Sequence, residues 1–447
     1  MKTGYSKLVI NPPYGFPMLG YYIPRKVKGV NDDLFVRAVA FDDGVKKAVV
    51  IALDVAQLPQ KIYDRIKELV VKDAGVEWNG IFINCSHTHT GPVIGKDLGT
   101  NSESTPEYET YLVNTARDAA VYAFQNLKES EFSTAKTQAK GVSFVRRYRM
   151  KDGSVATNPG VKNPNILHAL GTPDETVKVV KIKRCGGEDI ILVNFGTHPD
   201  SVGGELLSAD YMGVVCKTLE NALGNTKCIF LLGCQGDVNH VNVAPTPEEE
   251  AISVIDFDSV PRSFAHAEYM GRKIAGAVLS VISVTKPVKT DKISYVTTTI
   301  NLPSNKENDK LEEARYIYDM FKSGRAGELP YKEMALTTAV ARAKRIETLE
   351  NGPDSFPFNF SAISLGDLVF AGIGGEPFTE IGRRISENSP FKETILCCLT
   401  NTAGGYIPNS SSYDEGGYEA GTTVIKKGGD DIMVNGMTEM LNKLYNA

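Results

Sequence analysis

KKAVVIALDV (residues 46–55), leading into QKIYDRIKELVVKDA (residues 60–74), decides the fold class. From Ala48 to Leu53 every residue is apolar, so both faces of an extended run would be buried, the pattern of a sheet interior covered by helices. The second stretch changes period. Ile62, Ile66, Leu69 and Val70 recur at helical spacing, which predicts an amphipathic helix. The same alternation returns in GIFINCS (80–86) with PEYETYLVNTARDAAVYAFQNL (106–127). It continues through VKVVKIKR (177–184), DIILVNFGTH (189–198), the helix-like YMGVVCKTLENAL (211–223), KCIFLLG (227–233) and FAHAEYMGRKIAGAVLSVI (264–282). This order predicts an α/β protein with mixed β-sheets layered with helices.

Between about 286 and 350 the texture shifts. An alternating strand, ISYVTTTINL (293–302), precedes two charged helical stretches, 309–324 and 331–350, which reads as a peripheral insertion or subdomain within one 1–447 domain. After the breaker PDSFPF (353–358) the core pattern resumes in FSAISLG, DLVFAGIG, EPFTEIGRRISEN and TILCCLTN. The polar, turn-prone stretch from Gly404 to Gly421 reads as a lid over a site.

Composition narrows the function classes. Apolar residues make up 42% of the 447 and charged residues 23%, the balance of a globular chain that buries a large core. The net charge of −5, with both signs interspersed, offers no basic field to gather phosphate backbone, which argues against a nucleic-acid partner. No apolar run reaches the ~18 residues of a membrane span, and the short apolar run near the N-terminus is too brief for a signal-peptide core. Seven cysteines, an odd number with no CxxC pair, fit reduced thiols in a reducing compartment. The expectation is a soluble, cytoplasmic protein acting on a small molecule.

The sharpest chemical signal is SHTHTGP (86–92), directly after the strand GIFINC. His87 and His89 are two apart in an extended segment and point the same way beyond a strand end, as metal ligands would. A pair of loop histidines bonded to backbone carbonyls would look the same. The second apolar strand, IILVNFGTHPD, also ends in a histidine, His198, and two such strand ends of one sheet can share a cation. A carboxylate is then expected as a further ligand. Glu376 follows another apolar strand and opens a helix, where it fits either as that ligand or as a partner of the helix dipole.

LLGCQGDVNHVN (231–242) breaks from a buried strand into a Gly-Asp loop. Asp237 and Asn239 can orient a ligand or substrate there, or simply form an Asx turn. Cys234 lacks an evident base in its flanks and reads as core or wall, and His240 reads as exposed.

Together these blocks resemble the catalytic domain of the neutral/alkaline ceramidase family, a zinc amidase family. INPPYGFPMLGY (10–21) resembles the family's opening "DITPP…GY", and GVNDDLFVRAVAFDDG (29–44) the segment after it. SHTHTGP resembles "THTHSGP", and FGTHPDSVGGELLSADYMG (195–213) resembles "ATHPT…SGDNKG". GEPFTEIGRRI (375–385) resembles "GEFTTMAGRRL", and GYIP around Tyr406 resembles "YVTT". The resemblance implies zinc held by His87, His198, Glu376 and Tyr406, with His89 beside the metal as a proton or oxyanion group. It also matches Arg146 to an active-site arginine that contacts substrate; RRYRMKDG (146–153) reads equally as a solvated turn.

One motif departs from the family. Where its ceramidases carry a proposed serine nucleophile in "GDVSPN", this chain reads GDVNHVN, with Asn239 at that position. The family's export signal and additional C-terminal β-domain are not expected here, so ceramide is not the expected substrate. A metal-activated water attacking an amide, ester or related bond needs no serine. Two alternatives stay open: a metal-assisted reaction on a sugar-like compound, and a binding protein that keeps the metal without turnover.

Overall fold

The structure, a computed structural model, describes residues 1–447 except 98, 307–309 and 403. The apolar run at 46–55 forms the strand Lys47–Leu53 and the periodic segment forms the helix Gln60–Ala74, which stops at Gly75 with φ of 65°. Only a residue without a Cβ takes that left-handed conformation at little cost. Thr105 starts the helix Pro106–Gln125 by accepting a hydrogen bond from the Tyr108 N–H, and Ser263 does the same for Phe264–Val281 through His266.

The larger sheet has nine strands. Its path runs Thr226–Leu232, Asp189–Phe195, Thr176–Arg184, Lys128–Gln138, Lys2–Val9, Phe35–Asp42, Lys47–Leu53, Ile81–Cys85, with Lys286–Pro287 paired to Lys128–Gln138 off that path. The pairings are antiparallel except for one parallel pair at each end of the path. A second sheet has the order Ile293–Pro303, Ser355–Leu365, Leu368–Ile373, Glu393–Cys397.

Alternation along each strand separates the layers. In Phe35–Asp42, Val36, Ala38 and Ala40 pack toward the helices Gln60–Ala74 and Pro106–Gln125, while Val39 and Phe41 meet Phe370 and Leu368 of the second sheet. The far face of the second sheet, with Phe360, Val369 and Ala371, is covered by Thr379–Glu387 and Gly429–Tyr445. The order is therefore helix, sheet, sheet, helix. The doubly apolar strands are buried by helices on one face and by another sheet on the other, which revises the expectation of helices on both.

Two boundaries also move. Ile293–Pro303 pairs along its length with Ser355–Leu365 and so belongs to the second sheet rather than to an insertion. The breaker at 353–358 is the start of that partner strand, with Pro357 opposite Asn301. What stands apart is the helical pair Leu311–Lys322 and Glu333–Glu350, which has its own apolar cluster around Ile317, Met320, Val340 and Ile346. Asp309, at the start of the first charged stretch, lies outside the described residues.

The larger sheet curls until its two outer strands meet. The Asn84 side chain, on Ile81–Cys85, accepts from the Leu232 N–H at 3.0 Å and donates to the Cys398 carbonyl at 2.6 Å and to the Thr400 hydroxyl at 3.3 Å. Three strand ends are joined by one buried amide. Leaving a buried donor or acceptor unpaired costs about 1–3 kcal/mol each, so Asn84→Leu is expected to lower unfolding stability by ~2–4 kcal/mol in a denaturant titration. A loss below ~0.5 kcal/mol, the range of ordinary surface substitutions, would contradict this reading.

Candidate metal centre

Beyond Cys85 the chain is led across the end of the sheet by Ser86 N–H to Leu53 O at 2.9 Å and His87 N–H to Val55 O at 3.0 Å, and His87 adopts φ of 64°. For a residue with a Cβ this conformation is uncommon and marks a position held by its surroundings. His198 is placed beyond Phe195 by its own N–H to Val238 O at 3.1 Å, and the His89 N–H bonds to Pro199 O at 3.2 Å, tying the two histidine segments together. The three rings form a near-equilateral triangle, with centroids 5.1 Å apart for His87 and His89, 4.8 Å for His87 and His198, and 4.9 Å for His89 and His198. One ligand atom from each lies within 4.8 Å of the others.

The hydrogen bonds decide which nitrogens face inward. His87 Nδ1 lies 2.9 Å from the Ala56 carbonyl, an acceptor only, so Nδ1 carries a proton and Nε2 faces inward, where it shares a second proton with Glu376 or, once that proton leaves, presents a lone pair. His198 Nδ1 faces the Gln235 side-chain oxygen, which fixes the same tautomer. His89 Nδ1 is buried without a hydrogen-bond partner among the described residues, 3.5 Å from an Asp200 oxygen, and this carboxylate favours the proton on Nδ1. His89 Nε2 then meets His198 Nε2 at 3.1 Å, lone pair against lone pair. Glu376 adds an oxygen 3.2 Å from His87 Nε2, and Gln235 Nε2 donates to that same oxygen at 3.1 Å.

Burial drives the His198 imidazole well below its usual pKa, helped by Arg146, His87 and His89, and it brings His89 down to about 3. For His87, burial is outweighed by the Glu376 carboxylate, which raises its pKa. Glu376 is held below the usual carboxylate range against its own burial, chiefly by His87. The inward nitrogens of His87 and His198 and the Glu376 carboxylate, each fixed by a hydrogen bond, together with His89 beside Asp200, make a donor set for a divalent cation. The residues present fit the ion.

Supporting groups extend the site. Asp200, beside His89, is gripped by Arg262 through two bonds of 2.9 and 2.7 Å and accepts from the Tyr21 hydroxyl; Arg262 also grips Asp258 at 2.6 and 2.8 Å. Gly20 packs directly on His89, where an added Cβ would sit 2.8 Å from the histidine Cβ. A cavity of about 200 Å³ opens over the rings, lined by Tyr21, Tyr22, Gln57, Asp97, Lys344, Tyr406 and Tyr418 along with His87, His89 and Glu376.

Of the residues expected from the sequence, His87, His89, His198, Glu376 and Tyr406 come together. Glu376 is not at a helix start: Glu376–Pro377 is a short strand paired in parallel with Tyr406–Ile407, and the helix begins at Thr379. This pairing sets the carboxylate and the phenol side by side. Burial, and then the Glu376 charge, push the Tyr406 phenol well above its usual pKa, with Arg146 opposing.

Three expected residues stand elsewhere. The Arg146 guanidinium does not line the cavity: it lies 5.2 Å from the centre of the Tyr406 ring, and donates to Glu419 at 2.6 Å and the Gly236 carbonyl at 2.9 Å, so it supports Tyr406 from behind. Asp237 accepts from the Thr379 N–H at 2.7 Å and its hydroxyl at 3.0 Å, and so caps the helix Thr379–Glu387. Asn239 accepts from Val241 N–H at 3.0 Å, an Asx turn, and donates to Asn158 at 2.9 Å. Among the described residues neither side chain lines the cavity; Asp237 is bonded to Thr379, and Asn239 to its own turn and to Asn158.

His240, expected exposed, is buried with Nε2 bonded to the Pro261 carbonyl at 2.7 Å. Cys234 is a buried wall residue whose thiol is pushed up to about 12 by burial. The 404–421 stretch carries Tyr406–Ile407 and the short helices Ser410–Glu415 and Tyr418–Thr422, and contributes Tyr406 and Tyr418 to the cavity wall. Gln235, Asp200 and Arg262 carry no signal of their own; Asp200 and Gln235 lie within the quoted blocks without standing out from their neighbours, and Arg262 is 62 residues from its partner.

By overall structure the chain is similar to neutral ceramidase from Pseudomonas aeruginosa, with TM-score 0.76 and 17% identity over 100% of this chain and 74% of that one. It is likewise similar to a ceramidase complexed with C2, with TM-score 0.75 and 14% identity over 100% of this chain and 75% of that one. No family model and no curated protein matches the sequence. At these identities the likeness is one of fold. No helix among the described residues is long and apolar enough to cross a membrane.

The cap assigned to Asp237 is testable. Asp237→Ala is expected to cost ~1 kcal/mol, the usual range for a lost helix N-terminal acceptor, and Asp237→Ser to recover part of it. Full stability of Asp237→Ala in thermal denaturation would return the residue to the list of groups free for catalysis.

Proposed function

We propose that this chain is a zinc-dependent hydrolase that cleaves an amide, ester or related bond of a small polar substrate. The observation that carries the reading is the cluster of inward imidazole nitrogens beside Glu376, for which a nitrogen- and oxygen-binding cation such as zinc is the natural occupant. His87, His198, Glu376 and Tyr406 are proposed to hold it. A cation bound there supplies Lewis acidity, polarising a carbonyl and lowering the pKa of water toward ~7.

The chain's own residues supply the rest. His89, backed by Asp200 and Arg262, is proposed to take a proton on its inward Nε2 and, once protonated, to donate to the leaving group or to charge on the substrate oxygen. Arg146 and Glu419 steady Tyr406 from behind. The likeness to ceramidases supports an amide bond as the first class to assay. All seven cysteines are unpaired, which supports a reducing, cytoplasmic setting. A second reading follows from the 3.1 Å contact between His89 and His198: His89 is then itself a metal ligand.

Elemental analysis tests both readings. The purified protein is expected to bind about one zinc per chain, and His87→Ala with His198→Ala to bind none. His89→Ala is expected to keep the zinc while losing ~10²–10⁴-fold in kcat on any small amide or ester the protein turns over. Loss of zinc from His89→Ala would favour the second reading, and failure of the unaltered protein to take up zinc would overturn the proposal.

A further inference from the structure

The cavity over the imidazoles borders the helical pair. Its lining includes Lys344, carried on the helix Glu333–Glu350. The neighbouring residue anchors that helix: Arg345 Nε donates to Gly421 O at 3.0 Å and Nη1 to Asn305 O at 2.8 Å. Tyr22, another lining residue, packs its ring edge-on to Phe321 of the companion helix, with centroids 6.1 Å apart. The helix is thus fixed to the body of the protein at the point where Lys344 meets the site.

Three charged side chains line the cavity among the described residues, and two are already engaged. Glu376 is bonded to His87 and Gln235, while the Asp97 carboxylate accepts from Gly99 N–H at 2.8 Å and the Thr100 hydroxyl at 2.6 Å, closing its own turn. Lys344 makes no salt bridge among the described residues. Burial lowers its pKa, with Asp97 acting in the opposite direction, so the ammonium has given up part of its hydration without a bonded counter-charge. An anion reaching it would offset that loss, and Tyr22, which is hydrogen-bonded to Tyr418, lines the same cavity as a further donor.

Resting on the hydrolase reading, we propose that Lys344 is a specificity residue that receives an oxyanion, a carboxylate or phosphate, borne by the substrate away from the bond cleaved. The substrate class is therefore an amide or ester with an anionic group. The helical pair, which has its own core, is the element that delivers this selectivity.

The test uses binding rather than turnover. Zinc-loaded full-length protein is titrated calorimetrically with the monohydroxamates of malonic, succinic, glutaric and adipic acids, and with the same series bearing an uncharged terminal amide. The hydroxamate occupies the metal and the far end samples Lys344. At the best chain length the carboxylate probe is expected to bind roughly 10-fold more tightly than its amide, the size of a charge-assisted hydrogen bond. Lys344→Gln should abolish that preference while leaving the amide probe's affinity as it was, and Lys344→Arg should restore it. An ω-phosphonate series separates phosphate from carboxylate as the preferred oxyanion. Equal binding of charged and neutral probes throughout, or a preference that survives in Lys344→Gln, would overturn the proposal alone. Absence of binding by every probe would overturn the metal-site reading and this proposal with it.

Discussion

The amide of Asn84 is the constraint on which the site rests. His87 and His198 lie beyond strands near opposite ends of the larger sheet's path, and a flat sheet would hold them far apart. The curl of the sheet brings Ile81–Cys85 back to Thr226–Leu232, and Asn84 joins both to the end of Glu393–Cys397. Strand twist supplies the curl, and the buried amide selects one register of closure, because any slip would strand its partners without hydrogen bonds. The second sheet, packed on the inner face, brings the segment of Glu376 to the same place.

Around the imidazoles, charge is buried in pairs. Arg262 with Asp200 and Asp258, and Arg146 with Glu419, are almost wholly enclosed, and removing one member of such a pair commonly costs 3–5 kcal/mol because the other is left uncompensated. Replacement of such pairs by apolar residues is often neutral for stability, so they are better understood as orienting devices. Asp200 turns His89, and Arg146 supports the phenol of Tyr406. Gln235 serves two of the proposed ligands at once, accepting from His198 and donating to Glu376.

Much of this was legible in the chain. Uninterrupted apolar runs revealed the strands buried on both faces, and SHTHTGP, THPD and GEPF marked the ends where polar groups converge. The strands Lys2–Val9 and Lys128–Gln138 were not legible, because polar residues alternate through them and their pairing partners lie far away in sequence. Asp237 and Asn239 looked like site residues because a Gly-Asp loop after a buried strand carries the same residues whether it serves a ligand or its own turn. Tyr406 came only from family resemblance; in the fold its pairing with Glu376 supplies the reason. Lys344 had no signal at all, since a lysine in a charged helix is usually solvated and only the docking of that helix brings it to the cavity.

The cation site proposed at these strand ends is built from nitrogen and oxygen donors. X-ray absorption at the zinc edge of the reconstituted protein tests it most directly. A first shell of nitrogen and oxygen at ~2.0–2.1 Å is expected, with the multiple-scattering signature of at least two imidazoles that disappears in His87→Ala, His198→Ala protein. A sulfur shell near ~2.3 Å, or a spectrum indistinguishable between the two proteins, would contradict it.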